Sequence, residues 1–207
     1  MLDNIIYRLS KMVVRLYCTI FMKLHVQGLE NIPRGSGGIL AANHPSPLDA
    51  FLLHSLMKKK IFTFTKSDYF ENPLLRWYLR IVGGIPVKKG AFRLSALRDT
   101  KRILRGNHIL MVFPEGRVNS AASLLPFQNT FIRLSLKHHV PIIPVIIIGT
   151  ERALGHGQWI PRPTEILVII KEPIMFHHPS DDKEMIDLHT QQVRQIIAQT
   201  LVDSRRP

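Results

Sequence analysis

The chain has 207 residues, 45% of them apolar and 21% charged, with one cysteine; it can bury a core of its own, is too apolar to stay disordered, and cannot close an internal disulfide. Lys and Arg outnumber Asp and Glu by 28 to 15, and residues 1–108 hold 18 basic against 6 acidic residues, so nearly all of the +13 excess lies in the first half. So basic a face calls for an anionic partner, and the lack of zinc-finger spacing, of an aromatic RNP-type motif and of more than 8% aromatics points away from nucleic acid, toward anionic lipid or a phosphorylated substrate.

Residues 1–24 read as an amphipathic helix. Ile5, Leu9, Met12, Val13, Leu16, Tyr17, Ile20 and Leu24 recur at spacings of three and four, with Arg8, Lys11 and Arg15 on the other side. These cations interrupt what would otherwise resemble a signal peptide. The longest uncharged run, residues 16–22, is far short of the roughly 20 residues a span needs. A basic amphipathic helix suits the membrane interface; the alternative is a helix that docks its apolar stripe on its own domain. The lone Cys18, set among apolar residues, points to a reducing compartment.

The remainder, residues 25–207, alternates strand-like and helix-like segments without a linker. A Pro/Gly/Ser turn at 33–38 leads into an apolar strand at 37–43. A helix follows at 47–56, with Pro47 near its first turn, then a β-branched and aromatic strand at 61–65. Residues 69–82 are apolar almost all round, and 83–90 form a Gly-bounded loop carrying Lys88 and Lys89. An amphipathic helix at 91–105 precedes a buried strand at 108–113. A helix at 127–138, apolar strands at 141–149 and 165–171 and a closing helix at 182–201 complete the chain. Continuous apolar strands between helices predict a single α/β domain, its central sheet covered on both faces.

Two loops carry chemistry. In Asn43-His44-Pro45-Ser46-Pro47-Leu48-Asp49 a His and an Asp stand five apart across a proline-shaped turn. Such a His can take a proton from a hydroxyl near neutral pH, and the Asp can fix its tautomer; the bland alternative is a surface His with Asp49 as a first-turn acid. The strand at 108–113 runs into Phe113-Pro114-Glu115-Gly116-Arg117. Loops at the ends of buried strands are where α/β domains hold ligands, Gly116 permits close backbone approach, and Arg117 can grip a phosphate through two parallel N–H bonds. The alternative is a turn with solvated charges. The prolines of Val140-Pro141-Ile142-Ile143-Pro144-Val145 suit an edge strand or a ligand-facing end. No serine-hydrolase elbow, P-loop, zincin or dinucleotide motif occurs, and the pairs His138-His139 and His177-His178 lack supporting metal ligands.

Taken in order, these segments resemble the glycerolipid acyltransferase family typified by 1-acylglycerol-3-phosphate acyltransferase, from about Leu24 to about Gly149. The N-H-x-S-x-x-D block is matched at Asn43, His44, Ser46 and Asp49, the F-P-E-G block at 113–116, and the V-P-x-x-P-V block at 140–145. The resemblance implies that His44 deprotonates the free hydroxyl of a lysophospholipid while Asp49 orients it, with Asn43 and Ser46 in support. The oxygen then attacks the thioester of acyl-CoA or acyl-carrier protein, and Glu115, Gly116, Arg117 and Lys89 lie around the acceptor's phosphate. It implies no metal, no cofactor beyond the donor, and a peripheral or monotopic place on the cytoplasmic face of a membrane. The chain departs from the family in having Arg117 directly after Gly116, Lys89 in place of Arg, and Thr130 in place of Gly. The first departure leaves another head group, such as that of lysophosphatidylethanolamine, as an alternative to 1-acylglycerol-3-phosphate. A transacylase, or a non-catalytic basic module binding lipid or nucleic acid, are the other readings; only an enzyme needs the His44–Asp49 pair.

Overall fold

A computed structural model describes residues 2–88, 94–121, 123–154, 161–177 and 182–204. Seven strands form one sheet: β1 (Leu24–Gln27), β2 (Gly38–Ala42), β3 (Ile61–Lys66), β4 (Gly84–Val87), β5 (Ile109–Val112), β6 (Ile142–Ile148) and β7 (Ile166–Ile170), in the order β1-β7-β6-β2-β5-β3-β4. Every neighbouring pair is parallel except β6 and β7. Parallel strands need crossovers, and those here are α2 (Leu48–Leu56), α3 (Pro73–Ile81), α4 (Leu94–Arg105) and α5 (Thr130–His138). The chain is flanked by α1 (Leu2–Phe21) and α7 (Lys183–Asp203), with the short α6 (Thr150–Ala153) after β6.

Alternation along β2 divides the core. Ile39 and Ala41 pack with Leu104 of α4, Phe131 of α5 and Val193 of α7, while Leu40 and Ala42 pack with Cys18 of α1 and Leu52 and Leu53 of α2. Both faces of the sheet are thus covered, as the continuous apolar strands predict.

Four expectations need correction. Leu24 opens β1 rather than closing the first helix, which ends at Phe21. The expected loop at 83–90 contains β4, an edge strand whose four residues are too few to register as a pattern; Pro86 sits in it, where a missing N–H costs little. Pro144, by contrast, lies inside the sheet, opposite Ala41 of β2. Its carbonyl turns to the β7 side and accepts the Lys171 N–H at 2.9 Å. Its nitrogen faces the same way, at the point where β7 stops at Ile170, so the β2 ladder loses nothing. Finally, the apolar 69–82 segment becomes helix only from Pro73, because the Asn72 side chain caps it by accepting the Leu75 N–H at 3.0 Å.

The first helix lies the opposite way round from simple docking. Tyr7, Lys11, Val14, Tyr17 and Cys18 face the domain, whereas Ile5, Leu9, Met12, Leu16 and Ile20 are each more than half exposed. Lys11 donates to the Met57 carbonyl and Tyr17 to that of Pro161, at 3.0 Å, tying the mixed face down and leaving the apolar stripe outward. Among the described residues no helix is long and apolar enough to cross a membrane.

Candidate active site

β2, β5 and β6 are neighbours and run parallel, so the loops that follow them meet at one end of the sheet. His44 follows β2, Asp49 lies in the first turn of α2, Phe113–Arg117 follow β5, and Thr150 follows β6. His44 Nδ1 is 2.8 Å from Asp49 Oδ2. A carboxylate can only accept, so the imidazole carries its proton on Nδ1 and leaves Nε2 as a free base. The His44 ring stacks on Phe113, centroids 3.8 Å apart and planes 12° from parallel, which fixes its rotation. His44 keeps 15% of its side chain exposed while Asp49 keeps none.

Asp49 is held from three directions. Its Oδ2 also accepts the Ser46 N–H at 2.8 Å, and its Oδ1 accepts the Thr150 hydroxyl at 2.5 Å. Burial pushes the Asp49 carboxyl above the usual carboxylate range, and the bonds from His44, Thr150 and Ser46 act against that push. A carboxylate so poorly solvated gains most from an adjacent imidazolium, which is the species a general base becomes.

The supporting residues are structural. Asn43 exchanges two bonds with the backbone of Ile147, both 2.8 Å, locking the end of β2 to β6. Ser46 donates to the Leu154 carbonyl at 2.7 Å and accepts the Leu48 N–H at 3.2 Å, which anchors the start of α2.

Glu115 does not lie where a phosphate contact requires. It is 6% exposed, and its oxygens accept the N–H groups of His44 (3.1 Å) and Leu125 (3.0 Å) and the Asn119 amide (2.6 Å). Three donors draw the carboxylate inward, where it braces the two loops; facing a phosphate it would only repel. Asn119 completes the brace by donating its N–H to the His44 carbonyl at 2.7 Å. Gly116 adopts φ +70°, and a Cβ there would lie 2.4 Å from Gln128 Nε2, so the turn requires glycine. Arg117 stands exposed on the rim. Lys89 lies outside the described residues; its neighbour Lys88 lines the same rim.

His44, Gly116 and Arg117 open on a cleft of about 1390 Å³ that runs between α2 and α3 over Thr63 and Thr65 of β3, reaching Tyr7, Lys11 and Val14 of α1. Its walls include Phe51, Phe64, Leu75, Leu79, Val82 and Phe113.

The model of the acyltransferase family matches residues 23–148, which include every one of these loops up to the end of β6. The chain belongs to the acyltransferase family. A 1-acyl-sn-glycerol-3-phosphate acyltransferase of Limnanthes alba is 29% identical over 187 residues, covering 89% of this chain and 65% of the relative. One from Saccharomyces cerevisiae is 25% identical over 186 residues, covering 87% and 60%. The chain therefore spans somewhat under two thirds of the length of those relatives. The crystal structure of the 1-acyl-sn-glycerophosphate acyltransferase from Thermotoga maritima superposes with a TM-score of 0.79 at 25% identity, over 99% of this chain and 80% of that one.

The structure joins His44 to Asp49 and brings Gly116 and Arg117 to the same cleft, while turning Glu115 away from it. Sequence reasoning missed Thr150, Asn119 and the reach of the cleft to α1. A polar residue just past the apolar run of β6, after Gly149, was the only signal for Thr150. Among the described residues no three His, Cys, Asp or Glu side chains cluster as metal ligands.

Proposed function

We propose that this chain transfers a fatty acyl group from the thioester of acyl-CoA or acyl-carrier protein to the free hydroxyl of a lysophospholipid, 1-acylglycerol-3-phosphate being the acceptor that its relatives' names favour. The observation that carries the reading is a base with its Nε2 free, clamped by a buried carboxylate, at the mouth of a large and mainly apolar cleft. His44 Nε2 takes the hydroxyl proton as the oxygen attacks the thioester carbon. The tetrahedral intermediate then expels the thiolate, which leaves with the proton from the imidazolium, giving an ester and a free thiol. Asp49 stabilises the imidazolium between the two steps. Arg117 and Lys88 on the rim supply positive charge for the acceptor phosphate, and Lys89 follows Lys88 in the chain. The thioester is already activated, so the mechanism asks for neither a metal nor a further cofactor.

The exposed stripe of α1 supports a peripheral place on the cytoplasmic face of a membrane. With Leu74 and Trp77 of α3 and Phe51 of α2 it gives an apolar rim near the cleft, and Arg8 and Arg15 stand beside it for anionic head groups.

The test is purified protein with each donor and a panel of lysophospholipids, including lysophosphatidylethanolamine and an intact phospholipid as acyl source, with products resolved by mass. Diacyl product dependent on His44 is expected. Product from the intact phospholipid alone would make the protein a transacylase, and no product from any pair would leave a binding module.

A further inference from the structure

The cleft does not close on an apolar wall. α2 starts beside His44 and carries the cleft away from it; His54 lies five residues beyond Asp49, about 7.5 Å farther along the helix axis. There Tyr7, Ser10 and Lys11 of α1 meet His54. His54 is 8% exposed, and neither of its ring nitrogens has a hydrogen-bond partner among the described residues. The Tyr7 hydroxyl is likewise buried, and the Ile61 backbone beside it opposes the rise that burial gives its pKa. Buried polar atoms are rarely left so, and each such group needs an occupant or a water.

The charge around them has one sign. The Lys11 ammonium lies 5.3 Å from the centre of the Tyr7 ring and that of Lys60 5.5 Å. No acid lies within ion-pair distance of either lysine among the described residues; Asp3 acts on Lys60 only from farther away. Burial lowers both lysines, as it does for ammonium groups lacking a counter-ion. Burial also pushes His54 down to about 3, with Lys11 and Lys60 adding to the effect, so the imidazole is neutral and offers one N–H. An N–H, an O–H and the Lys11 ammonium therefore line the end of a mainly apolar channel, with the Lys60 ammonium over the Tyr7 ring beside it. Water satisfies the hydrogen bonds and solvates the half-buried ammonium groups, but only an anion adds a counter-charge. A neutral alkyl chain satisfies neither.

We propose that this end of the cleft is an anion site that holds the head group of a single-chain amphiphile, a fatty-acid carboxylate or an alkyl phosphate, with the tail lying back toward His44. Such an occupant fills the space a donor chain would use, so it competes with acyl transfer. The inference goes beyond the transfer reaction and does not depend on it.

The experiment is calorimetric titration of the full chain, below micellar concentrations, with dodecanoate, dodecyl phosphate and dodecanol. The anions are expected to bind about tenfold or more tightly than the alcohol. That preference should fall away in Lys60→Met, which leaves the Lys11–Met57 tether in place, and in Lys11→Met, while dodecanol binding persists as the check that the cleft is intact. It should survive Arg117→Ala at the opposite end. A carboxylate favoured over a phosphate, or the reverse, identifies the head group, and either supports the site. Equal affinity for anion and alcohol, meaning a water-filled end, overturns the proposal. So does a preference lost in Arg117→Ala but kept in Lys60→Met, which would move the anion to the rim. Acyl transfer measured on the same preparation keeps the two ideas apart: transfer without anion preference defeats only this one, and preference without transfer defeats only the proposed reaction.

Discussion

Thr150→Val tests whether the His44–Asp49 pair depends on its third partner. Valine nearly matches threonine in shape, so the substitution removes the 2.5 Å bond to Asp49 Oδ1 and leaves almost no cavity. Asp49 Oδ2 keeps Ser46 and His44, but Oδ1 loses its donor. A hydrogen bond to a charged group is worth about 1.5–3 kcal/mol. For a protein of this size that lowers Tm by roughly 3–12 °C. If about half of the loss reaches the transition state, where the imidazolium needs the ionised carboxylate, kcat falls about four- to twelvefold. The sign of the pH dependence follows from the raised Asp49. Its folded value lies above the unfolded one, so its contribution to stability is complete in acid and is lost as pH rises through the folded value. Removing a donor to the charged form raises that value further. The stability deficit of Thr150→Val should therefore shrink in acid, and the acid limb of its kcat profile should move to higher pH. Thr150→Ser restores the hydroxyl and should restore both. Thermal unfolding across pH together with kcat on detergent-dispersed acceptor measures this; wild-type kcat with an unmoved acid limb in Thr150→Val would refute the reasoning.

His44→Ala should lose about 10²–10⁴-fold in turnover and also lower Tm, because the ring bonds the buried Asp49 and stacks on Phe113; full activity in the folded variant would exclude general-base transfer. Arg117→Ala should raise the acceptor KM about tenfold and leave the donor KM alone, whereas Glu115→Ala should lower Tm, since it removes the acceptor of three donors; steady-state kinetics and calorimetry on the pair separate the two roles. Leu9→Gln combined with Leu16→Gln should weaken liposome binding about tenfold or more with Tm unchanged, since both side chains point away from the domain. Raising salt should release the wild type only in part, because screening acts on Arg8 and Arg15 and not on the apolar stripe. Liposome flotation reads both effects.

What could be read from the sequence was what is local. His44 and Asp49 stand across one turn, so their spacing offered the pair as one of two readings, and the 2.8 Å contact chooses it. Arg117 directly follows the four-residue turn that the Gly116 N–H closes on the Phe113 carbonyl. Thr150 reaches Asp49 only because β6 pairs with β2, a pairing that no residue of either strand announces. Glu115 was legible as part of the loop but not in direction: its orientation follows from N–H groups of His44 and Leu125, which the fold brings in from 71 and 10 residues away. The periodicity of the first helix was clear, yet periodicity marks two faces without saying which one meets the domain. The tether from Lys11 to Met57 and the packing of Cys18 decide that, and they depend on where α2 lies.

The reversed seating of α1 and the shape of the cleft have a common consequence for how a lipid reaches His44. The cleft is lined by residues of α1, α2 and α3, and each of these helices also carries exposed apolar residues: Leu9 and Met12, Phe51, Leu74 and Trp77. A lysophospholipid cannot bring its chain through water cheaply, since each buried CH₂ is worth about 0.8 kcal/mol. An acceptor hydroxyl sits at the polar boundary of its own bilayer. If these apolar residues rest in the interface, the chain stays in lipid while the head group rises to Arg117 and Lys88 and the hydroxyl comes to His44. The base is then close to a dry surface, where Asp49, already short of solvent, acts on the imidazolium with little screening. The same features that make α1 an unfavourable helix in water thus suit the site to a substrate that does not leave the membrane.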